Sequence, residues 1–122
     1  MIRVIVTGVG GGGVGEQIVK ALRLAEDSYF IIGTDMQRES KGFFDVDKSF
    51  VIPPAADAEY INKLLDICHK EKVNALFPGS EPEIKKLCSE RSRFTDAGVF
   101  LPLNDKAVLD ICFNKMATIE WL

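Results

Sequence analysis

V-I-V-T-G-V-G-G-G-G-V-G, residues 4–15, decides the fold. It begins inside a short apolar, β-branched run, Ile2 to Thr7, that stops abruptly at glycine. Such a run reads as a strand buried on both faces. Val14, Ile18, Ala21, Leu22 and Ala25 then recur at helical spacing, giving a helix from about Val14 to Glu26. Between the two lie six glycines in eight residues, Gly8 to Gly15. They contain G-x-G-x-x-G twice, as Gly8, Gly10, Gly13 and as Gly10, Gly12, Gly15. Glycine lets the chain turn sharply and lets a ligand approach the backbone. The amides that open the helix face such a ligand, and the helix dipole favours negative charge there. The loop, with Gly8, Gly10, Gly11, Gly12 and Gly13, is therefore expected to bind something anionic. The competing reading is a tight turn without a ligand.

Working outward, Tyr29 to Thr34 is a second strand with Asp35 at its carboxyl end. A polar stretch runs from Met36 to Asp47, and Ser49 to Ile52 makes a third short strand before Pro53-Pro54. Asp57 can cap a helix with Ile61, Leu64, Leu65 and Cys68 on one face, ending near Lys72. Val73 to Phe77 is a fourth strand, closed by Pro78-Gly79. Ser80-Glu81-Pro82-Glu83 has capping-box spacing, with Ser80 at N-cap and Glu83 three residues on. The helix it opens continues to about Asp96, and Gly98 ends it. Val99 to Leu101 is a fifth short strand, and Asn104 caps a further helix. This alternation implies a Rossmann-like three-layer α/β domain with a mostly parallel, roughly five-stranded sheet.

Composition narrows the classes. A chain of 122 residues suits one domain, and 47% hydrophobic residues suffice for a real core. The 15 basic and 18 acidic side chains are interspersed, leaving no basic stripe for nucleic acid. No apolar run reaches the roughly eighteen residues of a membrane span. The amino terminus enters a strand directly, without a signal peptide, so the expected compartment is the cytoplasm. Cys68, Cys88 and Cys112 are widely spaced and sit among apolar helix residues, as buried free thiols do. With one histidine, His69, they make no usual zinc set.

Two further positions carry chemistry. Asp35 stands where nicotinamide-binding folds place the ribose ligand. It lies 27 residues after Gly8, where about 20 is usual. P-G-S-E-P-E, residues 78–83, lies at a strand's carboxyl end, where open α/β sheets bind ligands. Ser80 and the free amides of the helix start suit an anion, and Glu81 and Glu83 suit a cationic or hydroxylated group. The capping reading accounts for the same residues, and Glu83 fits it best.

Taken together, the chain resembles the N-terminal, pre-ATP-grasp domain of ATP-grasp ligases, and is similar to the large subunit of carbamoyl-phosphate synthase. The resemblance rests on V-I-V-T-G-V-G-G-G-G-V-G, I-I-G-T-D-M and Y-I-N-K-L-L-D-I-C-H-K-E-K-V-N-A-L-F-P-G-S-E-P-E, and on Asn114-Lys115 followed by T-I-E-W-L. It implies an enzyme that phosphorylates a carboxylate with ATP and magnesium, after which an amine or thiol displaces the phosphate. This first domain would serve the acceptor-substrate side. The loop Gly10 to Gly13 would then hold a carboxylate or an acyl phosphate rather than a dinucleotide. Ser80 and Glu81 match a strand-end position facing the same cleft, and Lys115 matches a lysine that contacts ATP, although Asn114 stands where aspartate often precedes it. Residues 1–113 would form the pre-ATP-grasp domain and 114–122 the start of the ATP-grasp region. The helix in progress at Lys115 to Leu122 is expected to belong to a longer protein. The ATP-clamping lysine and the magnesium ligands would lie beyond Leu122, so no tight cofactor binding and no ligase activity are expected of this chain alone. Expected partners are a small carboxylate or amine and the C-terminal ATP-grasp domain, with no nucleic acid or membrane. Trp121 and Leu122 could drive homo-oligomerisation. The rival classes are a nicotinamide-dependent oxidoreductase or epimerase and a non-catalytic small-molecule sensor. The chain has no Y-x-x-x-K pair of the first class; Tyr60 and Lys63 are three apart.

Overall fold

A computed structural model describes residues 1–10 and 13–103. Four strands form one parallel sheet: β1 (Ile2–Thr7), β2 (Tyr29–Asp35), β3 (Lys48–Val51) and β4 (Ala75–Phe77), in the order β3-β2-β1-β4. β1 sits centrally, pairing Ile2 with Tyr29 through Thr7 with Thr34 on one side and Val4 with Ala75 through Val6 with Phe77 on the other. The pleat sends alternate residues to opposite faces, so each strand feeds two cores. Ile5, Ile32 and Leu76 pack with Tyr60, Leu64, Leu87 and Phe94 on one face. Val4, Val6, Ile31 and Ala75 pack with Val19 on the other. The first core is roofed by α2 (Tyr60–Glu71), α3 (Glu81–Ser89) and α4 (Arg91–Asp96), the second by α1 (Val14–Leu24). This is the three-layer α/β architecture that the alternation implied.

The fifth strand is reduced to a single parallel bridge between Ala75 and Phe100. Phe100 donates to the Asn74 carbonyl at 2.9 Å and accepts from Leu76 at 2.9 Å. The next rung of a parallel ladder needs the N–H of residue 102, and Pro102 has none. The long helix expected through Asp96 is also broken, at Glu90. There the Ser89 hydroxyl donates to the Lys86 carbonyl at 2.7 Å, and Glu90 N–H bonds three residues back, to Leu87, at 3.1 Å. Side-chain competition of this kind tightens and ends a helical turn. α2 begins at Tyr60 with Glu59 at N-cap; the Asp57 carboxylate instead accepts from Glu59 N–H at 2.8 Å, closing the turn before it. Asn104 and the helix after it lie outside the described residues.

At the amino end of the sheet, Glu71 closes α2 onto two strands. Its carboxylate accepts from Arg3 of β1 at 2.9 Å and pairs with Lys48 of β3. Arg3 also lies 4.1 Å over the Phe30 ring. No helix among the described residues is long and apolar enough to cross a membrane.

Candidate functional site

The chain runs from β1 outward to β2 and β3, then crosses back to place β4 on the other side of β1. That reversal splays the loops apart beyond the carboxyl ends of β1 and β4, where open α/β sheets hold ligands. A cleft of about 510 Å³ lies there. Gly8, Gly10 and Gly13 floor it, Asp35 and Met36 flank it, and Gly79, Ser80, Pro82 and Glu83 face them. Residues 52–56, Ile-Pro-Pro-Ala-Ala, add an apolar wall. Ile52 is held there by its N–H, which donates to the Asp35 carbonyl at 2.9 Å.

The glycines serve different ends. Gly8 has φ +62°, a left-handed backbone that only glycine adopts without strain. Gly15 and Gly79 let three elements touch: the Gly79 Cα side carries no room for a methyl against the Thr7 carbonyl, and Gly15 Cα lies 2.9 Å from where that methyl would be. A methyl on Gly10 would strike the Asp35 carboxylate and the Ser40 hydroxyl. Gly13 is different. Its backbone is extended, it caps α1, and no atom of the described residues stands within 4 Å of where its Cβ would be. Backbone packing thus accounts for glycine at Gly15 and Gly79, side-chain ends alone crowd Gly10, and Gly13 faces the cleft. Gly11 and Gly12 lie outside the described residues.

The acidic groups sort by neighbour. Asp35 accepts from Met36 N–H at 2.9 Å through Oδ1 and turns Oδ2 over Gly10. Glu81, expected to face the cleft, is exposed and pairs with Lys85 at 3.4 Å; it is not among the lining residues. A step of two residues along a helix rotates a side chain by about 200°, so Glu81 and Glu83 leave α3 on different faces. Glu83 is the one that lines the cleft. Its Oε2 accepts from the Tyr60 hydroxyl at 2.5 Å and its Oε1 from Ser80 Oγ at 2.8 Å. Ser80 is the N-cap of α3, yet its hydroxyl caps no backbone amide. The expected capping box therefore gives way to a side-chain pair, because the buried phenol offers Glu83 a stronger partner than the helix end does. Lys115 lies outside the described residues.

Burial drives the Tyr60 phenol well above its usual range, and the charge and hydrogen bond of Glu83 add to the effect. Burial likewise pushes the Cys68 thiol up to about 12, as befits a core thiol rather than a nucleophile. Sequence reasoning weighed Tyr60 only as half of a Y-x-x-x-K pair, set it aside on its spacing from Lys63, and passed over the 52–56 wall. Tyr60 lay on a helix that reads as structural, outside the apolar face of Ile61, Leu64, Leu65 and Cys68. The signal available was a phenol opening a buried helix, since a buried hydroxyl requires a partner.

No curated protein matches the sequence. Solved structures of the same fold do. The biotin carboxylase domain of a single-chain bacterial carboxylase is 16% identical, with a TM-score of 0.70 over 99% of this chain and 28% of that one. N5-carboxyaminoimidazole ribonucleotide synthetase from Thermotoga maritima is 18% identical, with a TM-score of 0.64 over 100% of this chain and 30% of that one. A dTDP-glucose 4,6-dehydratase from Bacillus anthracis, in complex with NAD, reaches only 0.54 at 14% identity over 83% of this chain and 36% of that one. The first two structures match this chain almost end to end, and the chain spans less than a third of each. Residues 5–102, from the middle of β1 to the proline that stops the sheet, match the PylC-like N-terminal domain, and the chain belongs to that family, with the Rossmann-like fold of a pre-ATP-grasp domain.

Proposed function

We propose that this domain is the substrate-side, N-terminal part of an ATP-dependent carboxylate-amine ligase of the ATP-grasp class. The finer reading is an enzyme that works through an acyl phosphate, like the large subunit of carbamoyl-phosphate synthase. The observation that carries it is the cleft at the β1/β4 reversal. One side is an open glycine N-cap whose helix dipole favours an anion, the other a clamped carboxylate, Glu83. A carboxylate or acyl phosphate suits the Gly10–Gly13 loop, and a group bearing N–H or O–H suits Glu83 and Ser80.

ATP and magnesium belong to the ATP-grasp part of such an enzyme. Among the described residues no three His, Cys, Asp or Glu side chains gather into a possible metal site. The contribution of these residues is to bind and orient the acceptor and to keep water from it, which is where positioning lowers a barrier. The cytoplasm suits this reading, as does a C-terminal ATP-grasp domain as partner, with Lys115 as a contact to its nucleotide.

The test is calorimetric titration of the chain with ADP, NAD and small carboxylates and amines. Heat from a carboxylate or amine that Glu83→Gln removes supports the reading. Tight NAD binding that depends on Asp35 contradicts it and favours the dinucleotide alternative. Detectable ATP turnover by the 122-residue chain also contradicts it.

A further inference from the structure

Tyr60 opens α2 with its side chain 0% exposed, and it does not line the cleft. Its hydroxyl nevertheless ends 2.5 Å from Glu83 Oε2. The hydrogen bonds behind it run in one direction. Gly79 N–H donates to Thr7 Oγ1 at 3.0 Å. The Thr7 hydroxyl also acts on the Tyr60 phenol, opposing in part the rise that burial and Glu83 cause. Tyr60 has one proton left, and Glu83 takes it. Ser80 supplies the second donor, on Oε1 at 2.8 Å. Both carboxylate oxygens thus accept from inside the domain, and only further acceptor lone pairs are left to face the cleft.

The position of the carboxylate is as constrained as its hydrogen bonding. Glu83 Oε1 lies 2.9 Å from where a Cβ on Gly8 would be, at the end of the central strand. No lysine or arginine is among the described residues that line the cleft. A phenylalanine would fill the core as well as Tyr60 does; the hydroxyl is the part that packing does not require.

We propose that Tyr60 is a positioning residue, which fixes the Glu83 carboxylate in the cleft so that it selects a ligand group bearing N–H donors, an ammonium or amine. This rests on the cleft being the acceptor-substrate site. The experiment follows the Glu83 carboxylate carbon by NMR in protein labelled with 13C-glutamate, with ethylammonium chloride as the probe. Tetramethylammonium chloride, of equal charge but without N–H, is its control. Ethylammonium shifts the Glu83 signal saturably and tetramethylammonium does not, and Glu83→Gln abolishes the effect. Tyr60→Phe weakens ethylammonium about tenfold while the melting temperature stays within about 5 °C of the parent. Thr7→Val weakens it similarly, and Thr7→Ser, which keeps the hydroxyl, restores it; this pair decides the matter if Tyr60→Phe does not fold. Parental affinity in Tyr60→Phe or Thr7→Val overturns the positioning role and leaves the cleft reading standing. A Glu83 signal unmoved by ethylammonium in the parent overturns both.

Discussion

The substitutions Gly79→Ala and Gly13→Ala separate packing from ligand access. At Gly79 an added methyl meets the Thr7 carbonyl oxygen at a separation no real contact tolerates, with Gly15 Cα 2.9 Å away. Both atoms are backbone, so no side chain can swing aside; β4 must move off β1 or α1 must lift. Overpacking of this kind costs about 1–3 kcal/mol, and the rigid surroundings favour the upper end. A domain of this size loses about 3–5 °C of melting temperature per kcal/mol, so Gly79→Ala melts some 8–15 °C lower. At Gly13 the methyl meets nothing within 4 Å among the described residues, and φ −93° with ψ −161° suits any residue. The poorer N-cap propensity of alanine is offset by its smaller unfolded-state entropy, leaving a net change of about 0.5 kcal/mol or less. Thermal unfolding followed by far-UV circular dichroism reads both variants. A Gly79→Ala protein melting within about 2 °C of the parent refutes the close approach of β1, β4 and α1 on which the cleft depends.

Other outcomes follow from the same contacts. Leu87→Ala and Phe94→Ala, both at side chains 0% exposed, each cost about 3–5 kcal/mol in urea unfolding, and a loss below about 1 kcal/mol would show that α3 and α4 do not roof the sheet. The Glu71 carboxyl is held below its usual value of 4.5, first by the Lys48 hydrogen bond and then by Arg3. A folded-state value below the unfolded one stabilises the native protein above the unfolded pKa, and the gain disappears as pH falls through the folded pKa. The stability difference between parent and Glu71→Gln is therefore constant near neutrality and shrinks in acid; a pH-independent difference contradicts the ion pairs. Tyr60 has the opposite sign: its phenol is raised above the ordinary 10.0, so its contribution is complete below pH 10.0 and is lost at higher pH. Tyr60→Phe flattens that alkaline decline, and an unchanged slope argues against the Glu83 contact. Cys68, 4% exposed with its thiol pushed up to about 12, resists thiol reagents at pH 8 until the domain is unfolded, and rapid labelling would place it outside the core.

The sequence carried the layers well, because period-2 and period-3.6 patterns report burial directly, and burial is what Ile5, Leu64 and Leu87 undergo. It carried the glycine loop and Asp35 to the same cleft, since both are read from strand ends. Elsewhere local signals misled. Val99 to Leu101 has strand composition, but a proline one residue later removes the donor that a ladder needs. Ser80 and Glu83 have capping-box spacing, yet a phenol 23 positions earlier in the chain claims the carboxylate. Spacing along a helix gives no account of partners from another element, so Glu83 read as a cap and Glu81 as the cleft acid. The abundance of glycine likewise overstated the ligand's share: backbone packing explains Gly15 and Gly79, and Gly13 is the described loop position whose openness packing leaves unexplained.

The central claim is that this cleft takes a small acceptor and its acyl phosphate, not a dinucleotide. Backbone amide NMR with acetyl phosphate and with NAD as probes tests it most directly. The account predicts saturable shifts at Gly10, Gly13, Val14 and Ser80 with acetyl phosphate, and none with NAD. Saturable NAD binding that Asp35→Asn abolishes, with the same amides unmoved by acetyl phosphate, would contradict it.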